Sequence, residues 1–306
     1  MGFDKLPEWA TKFHFTHHSP SGANRPHCLE FFDKVVARPE KMFTPANANM
    51  VCGTAVEDYC NAVVVQGLDE REAFSHALAR FDQHKSPDHL PEDKDKVELF
   101  RNTPVDKKIK VDDVEIMLNG THFELTCKHA LDGLREATQG SNLVQDGRWA
   151  SIELQDVELP IIGQLDFEDP GVVEMKTKWP YWKPDTKQGW GTNSLPKRPM
   201  NDHCRQVALY WKWLRNQSEN VPVKIIYANT LGYRVFTNEN CEELSEQSLR
   251  EHLSSLRLIA KGRETLMKTA TDLNHLAELI TPDFSFYQWR DKPPAYLQRA
   301  KTLWGI

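Results

Sequence analysis

At 306 residues, 40% of them hydrophobic and including nine Trp and fourteen Phe, the chain can bury a substantial core as one large domain or two small ones. A net charge of −6 excludes a protein that coats nucleic acid non-specifically, and without a run of 18 apolar residues no membrane span is expected. Six cysteines (Cys28, Cys52, Cys60, Cys127, Cys204 and Cys241) show no CxxC spacing, which argues against a zinc ribbon and fits thiols kept reduced inside a cell.

The opening MGFDKLPEWATKFHF has no continuous apolar core of a secretory leader, and Leu6 stands where a myristoylation signal needs Ser or Thr. Cytoplasmic residence is the expectation. His14, His17 and His18 invite a metal reading, but no further ligand spacing supports it. A helix is predicted over Cys28–Val36, stopping before Pro39. Pro45–Met50 reads as a loop, and Gly53 opens a helix to about Val65 that Gly67 ends. Its apolar stripe is Val56, Tyr59, Ala62 and Val63, so Glu57 sits beside the stripe. From the residues alone a solvated flank is favoured over a carboxylate turned inward.

Asp69 can cap the next helix, with Glu72 completing a capping-box-like start and Phe74, Ala77, Leu78 and Phe81 as its stripe. Residues 83–112 are strongly charged and predict one short helix near Asp93–Arg101 between loops. Segments 113–127 and 129–138 read as helical, although His122–Cys127 also suits a strand, and periodicity does not decide. After a loop over Gly140–Gly147, the alternation from Trp149 to Val157 predicts a strand. Glu153 on it is a surface residue or an additional acid.

The segment Gly163–Lys178 carries the chemistry. Pro160–Phe167 and Val172–Thr177 read as two strands around an Asp169-Pro170-Gly171 turn. Side chains alternate along a strand, so Glu174 and Lys176 point one way and Met175 the other. Paired as a hairpin, the strands bring Asp166 close to Glu174, and two carboxylates and an ammonium converge. A hard divalent cation takes one or two carboxylates, with waters and a substrate phosphate completing its octahedron. A lysine beside it can orient or deprotonate a water, or neutralise charge on phosphorus. That is the equipment of metal-assisted phosphodiester hydrolysis. The same triplet equally describes an ion pair on a solvated strand.

Trp179–Met200 follows, with three Trp, one Tyr and four Pro among basic residues. From Lys176 to Arg198 there are six Lys/Arg against the single acid Asp185. The segment is either a loop packed by its aromatics or a DNA-facing loop. In the second reading Trp182 and Trp190 stack on bases while Lys178, Lys183, Lys187, Lys197 and Arg198 meet phosphates. Asn201 or Asp202 caps a helix over His203–Asn216, on which Gln206 and Tyr210 share a face. Val223–Ala228 predicts a strand buried on both faces, and Tyr233–Phe236 an edge strand after Gly232. Residues 242–280 read as one or two helices. The aromatic tail from Pro282 should pack as an extended arm and a short helix. Without repeats or a low-complexity linker, a single domain over 1–306 is expected.

Asp166 followed by Glu174-Met175-Lys176 resembles the D…(D/E)xK signature of the PD-(D/E)XK nuclease superfamily. Gly163-Gln164-Leu165-Asp166 is similar to the G-x-x-D of its RecB-like branch, and Ser19-Pro20-Ser21 to the S-x-S before that branch's first helix. Gly53-Thr54-Ala55-Val56-Glu57 resembles its first motif, G-x-x-x-(H/E). Gln206-Val207-Ala208-Leu209-Tyr210 resembles the Q-x-x-x-Y of RecB-like and phage-type exonucleases. The order and spacing agree over about residues 19–230, leaving 231–306 as a C-terminal elaboration.

The resemblance implies an α/β fold of the α+β type, with a central mixed sheet flanked by helices and a restriction-endonuclease-like core. It further implies a Mg²⁺-dependent DNA exonuclease, with Mn²⁺ able to substitute, working in recombination, repair or degradation in a bacterial or phage-infected cell. Asp166, Glu174, Glu57 and the Met175 main-chain carbonyl would hold metal. Lys176 would position or activate the water, and Gln206 and Tyr210 would support the site. A structure-specific endonuclease with the same residues, and a DNA-binding scaffold with a vestigial site, are the alternatives. A single-strand annealing protein and further copies of the chain are the partners the branch suggests. Some members carry an iron–sulfur cluster on one N-terminal and three C-terminal cysteines. Here only Cys241 follows Tyr210, so no cluster is expected.

Overall fold

The computed structural model describes residues 6–42, 44, 46–83, 91–111, 114–139, 148–182, 190–191 and 193–306, without side-chain detail at 80–83, 91–95, 110–111, 114, 116, 182 and 190. The chain begins with α1 (Glu8–Lys12), α2 (Pro20–Ala23) and α3 (His27–Phe31). A π-helical turn, Phe32–Ala37, extends α3 and stops ahead of Pro39. Helix α4 (Ala48–Val64) starts earlier than Gly53 because Asn47 caps it, its side-chain oxygen accepting the Met50 N–H at 3.0 Å. Asp69 caps α5 (Glu70–Gln83) through the Arg71 and Glu72 N–H groups, and α6 (Pro91–Asn102) covers the expected short helix.

Strands β1 (Pro104–Val111) and β2 (Val114–Thr121) form an antiparallel ladder where a helix was expected for 113–121. The reason lies at Thr121. Its hydroxyl accepts from the Glu124 N–H and the Glu124 carboxylate returns to the Thr121 N–H, so this capping box starts α7 (His122–Thr138) and ends the strand there. HFELTC is therefore helical.

The chemistry-bearing stretch is less regular than a single hairpin. It comprises β3 (Trp149–Ile152), β4 (Ile161–Gln164), β5 (Phe167–Asp169) and β6 (Gly171–Lys178). Strand β3 ends at Ile152 rather than Val157, and Glu153 is an exposed residue beyond it. Strands β7 (Tyr181–Trp182) and β8 (Trp190–Gly191) pair as a short ribbon. Helix α8 (Asn201–Arg215) leads to β9 (Val223–Asn229) and β10 (Gly232–Thr237). Helices α9 (Glu246–Thr269), α10 (Leu273–Glu278) and α11 (Pro294–Leu303) complete the chain.

The central sheet is mixed, in the order β10-β9-β6-β5. β6 and β9 are parallel, and the outer pairs are antiparallel. Parallel neighbours need a crossover, which α8 supplies. Alternation along the strands serves two helical layers. Val173 and Met175 of β6, with Ile226 and Ala228 of β9, pack against α4 and α7 among Cys52, Cys60 and Cys127. Val172, Val223, Ile225 and Tyr227 pack against α8 and α9. The fold is thus α/β, a central mixed sheet flanked by helices. A third core joins the two ends of the chain: Phe32 lies edge-on to Tyr296 at 4.8 Å, with Phe15 and Trp289 around them.

The tight β5–β6 turn depends on Gly171. A Cβ there would stand 2.1 Å from the Pro222 carbonyl oxygen, whose acceptor role for the Val172 N–H (2.8 Å) ties the turn to β9. Because the obstacle is backbone, relief requires the strands to part. Gly171→Ala is expected to destabilise the protein by about 1–3 kcal/mol or more, read as a lowered urea midpoint. An unchanged midpoint would show that the turn has slack.

Candidate active site

The chain bends at Leu165–Asp166, and this bend makes the site. Strand β4 leaves to pair with β3, so only Phe167–Asp169 continues beside β6. That corrects the expectation of one continuous strand over Pro160–Phe167, and Asp166 comes from the bend rather than from a ladder position. The β6 edge is consequently open beyond Val173, and the Asp166 carboxylate fills it by accepting the Met175 N–H at 3.0 Å. The N–H and C=O of one strand residue point to the same edge, so the Met175 carbonyl opens on the same side.

Glu174 is wholly buried and pairs with the ammonium of Lys176, whose side chain is 24% exposed. Its other carboxylate oxygen, Oε2, is buried without a hydrogen-bond partner. Burial, with Asp166 and Glu57 nearby, pushes the Glu174 carboxyl well above the usual carboxylate range. For Lys176, burial acts downward, but Glu174 and Asp166 outweigh it and hold the ammonium above its ordinary value. Glu57 stands on α4, which lies close to β6, where a Cβ on Gly53 would stand 3.3 Å from Thr177 Oγ1, and its charge adds to the upward push on the Glu174 carboxyl.

Among the described residues, no three side chains of His, Cys, Asp and Glu lie close enough to chelate an ion by themselves. Asp166 and Glu174 instead fit the sparser ligation of Mg²⁺, one or two carboxylates supplemented by water and substrate oxygen. A carboxylate pair, Asp166 and Glu174, beside one ammonium, with a buried Glu174 oxygen that has no donor, is the arrangement a divalent cation would complement.

Helix α8 holds the bend. The Tyr210 hydroxyl donates to the Gln164 carbonyl at 2.5 Å, and Gln206 Nε2 donates to that hydroxyl at 3.0 Å. Burial and the nearby Glu174 and Asp166 push the Tyr210 phenol up, so it stays protonated as a donor. Gly163 lets the helix approach: a Cβ there would meet Leu209 and Tyr210 atoms at 3.0 Å. The G-x-x-D and Q-x-x-x-Y stretches therefore meet each other two residues before Asp166.

The Trp-rich segment divides at its described ends. Trp179 is buried, stacks on Phe100 at 5.1 Å and donates to Thr177 Oγ1, so it belongs to the core. Lys178 lies 5.9 Å over the Tyr227 ring, its ammonium pushed down by burial. Arg198 pairs with Glu243 at 3.2 Å on the surface, and Lys197 is exposed. Lys183 and Lys187 lie outside the described residues, as do the side chains of Trp182 and Trp190.

The structure adds groups that sequence patterns did not mark. His203 joins its Nδ1 to the Tyr227 hydroxyl at 2.6 Å, and burial and nearby Lys176 push it down to about 4, leaving it neutral. A cleft of about 820 Å³ opens beside the bend, lined by Gln164, Gln206, Tyr210, Lys34, Arg38 and Trp149, with Ser19 and Ser21 also on its wall. His18 is no metal ligand partner of His14 and His17; it is buried against the Glu264 carboxylate at 3.2 Å.

A scan of protein-family models and a search of curated proteins both return no match. Among solved structures, the chain is similar to one from Eubacterium rectale described as a "Putative exonuclease", at 13% identity and a TM-score of 0.41, covering 86% of this chain and 87% of that one. At that distance the likeness assigns no activity to this chain. No helix among the described residues is long and apolar enough to cross a membrane.

Proposed function

We propose that this chain is a Mg²⁺-dependent deoxyribonuclease of the PD-(D/E)XK type, an exonuclease whose site is Asp166, Glu174 and Lys176. The observation that carries the reading is the buried Glu174–Lys176 pair facing an Asp166 clamped on the open edge of β6. A Mg²⁺ ion held by Asp166, Glu174 and the Met175 carbonyl, with Glu57 beside them, would polarise a phosphoryl oxygen and lower the pKa of a water; Mn²⁺ has the same ligand preferences.

The chain's own contributions follow from placement. Lys176, kept charged by the surrounding carboxylates, offers a donor and a positive charge to an oxygen of the phosphate or to the attacking water. Tyr210 and Gln206 fix the Gln164 carbonyl and hence the position of Asp166. Lys197 and Arg198 lie on the surface near the chain leaving β8, where they can meet the DNA backbone. The setting is DNA recombination, repair or degradation in the cytoplasm, beside an annealing protein or as an oligomer.

Digestion of end-labelled linear, nicked circular and covalently closed DNA with Mg²⁺ tests this reading. Loss confined to DNA with ends identifies the exonuclease. Linearised circles identify an endonuclease using the same residues, and DNA binding without any cleavage identifies a scaffold.

A further inference from the structure

We propose that Trp149 is a stacking platform for one nucleobase of the substrate strand, next to the phosphodiester that is cut. The inference rests on the nuclease reading above and deepens it. Trp149 is 62% exposed, and its ring is not needed to fill the core. The alternate positions of the same strand, Ala150 and Ile152, are the ones buried. Trp149 and Ser151 instead share the opposite face of β3, with Gln164 and Ile162 directly across the ladder on β4, and all four line the cleft.

The indole therefore stands in register with Gln164, two residues before Asp166. Its base is rigid. The preceding Arg148 pairs with Glu168 of β5 and lies 4.8 Å over the Trp213 ring. The same cleft is lined by Lys34, which is buried, pairs with Glu30 at 3.2 Å and donates to the His17 carbonyl at 2.8 Å, and by Arg38, which is 60% exposed and lies 3.6 Å from Asp33. An exposed aromatic face in a cleft that also carries the exposed Arg38 guanidinium, joined through Gln164 to the candidate catalytic bend, is the combination that holds single-stranded nucleic acid, the ring taking a base and the guanidinium a phosphate. Every base has a π-face, so the contact fixes the nucleotide without selecting sequence.

The test uses the full chain carrying Asp166→Asn, and fluorescence anisotropy with a labelled single-stranded oligonucleotide of about 12 nucleotides. Trp149→Ala is expected to weaken binding by about tenfold, with an unchanged thermal midpoint, and Trp149→Phe to restore most of the affinity. An abasic position moved along the oligonucleotide should produce one similar loss in the chain with Trp149 and no further loss in Trp149→Ala. Equal affinity of Trp149→Ala and its parent overturns the proposal, as does a fall in midpoint of the size a core residue gives. In the otherwise unaltered chain, cleavage with Mg²⁺ that is indifferent to Trp149→Ala removes the stacking role alone. Absence of both cleavage and binding removes the nuclease reading and this proposal with it.

Discussion

Asp166→Ala and Asp166→Asn are each expected to lower Mg²⁺-dependent DNA cleavage by about 10³-fold or more, the several kcal/mol that a lost metal ligand removes from the transition state. The two substitutions separate the roles of the side chain. Asn keeps an oxygen that can accept the Met175 N–H, the contact seen at 3.0 Å, but removes the charge. Ala removes both. If the carboxylate serves as a ligand, both variants are inactive, and Asn retains the bend. Neither should unfold the protein, because Asp166 is only half-buried and its negative charge opposes ionisation of buried Glu174. The thermal midpoint of Asp166→Asn is therefore expected to equal or exceed that of the parent, a site whose charges oppose stability. DNA binding by the variants should persist. Full cleavage by purified Asp166→Asn would place the metal elsewhere.

The parts of the fold that the sequence exposes are those whose local chemistry and tertiary role coincide. Asp169-Pro170-Gly171 dictates a turn by its own dihedral preferences, and β9 reads as a strand because both of its faces are buried and its run is continuously apolar. The helix over 201–215 and the aromatic tail follow in the same way. The bend at Asp166 was hidden. Alternation runs unbroken through Leu165, and the chain turns because of contacts made by a helix more than forty residues away, Tyr210 on the Gln164 carbonyl and Leu209 against Gly163. Strand β2 was hidden for a different reason, since 113–127 reads as one helical segment and the reciprocal Thr121–Glu124 cap divides it, ending the strand and starting α7.

The same distinction holds within the site. Glu174 and Lys176 share a face by the geometry of any strand, so their proximity was legible from spacing two. Glu57 was not: on α4 it borders an apolar stripe, and only the approach of that helix to β6 brings its charge to bear on Glu174. The cleft wall of Lys34, Arg38 and Trp149 combines a π-helical turn with a strand more than a hundred residues later, and no motif links them. Sequence spacing reports which residues an element presents together. It does not report which elements meet.

Lys176→Arg is expected to lose at least about 100-fold in kcat, despite conserving charge. The ammonium is a compact donor lodged against a carboxylate that is wholly buried, and only 24% of the side chain reaches solvent. A guanidinium is planar and longer, and it cannot point a single donor at one oxygen from that depth without displacing Glu174 or turning outward. Turning outward leaves Glu174 buried beside Asp166 and without its countercharge, which further favours the protonated carboxyl and so removes a ligand. DNA affinity should be nearly unchanged, because the net charge of the site is preserved, and the loss should fall on kcat rather than KM. Lys176→Met, which deletes the charge, is expected to be at least as inactive and to share the kcat effect. Turnover of Lys176→Arg within a few-fold of the parent would show that charge alone suffices at this position, and the fixed pairing with Glu174 would then be structural.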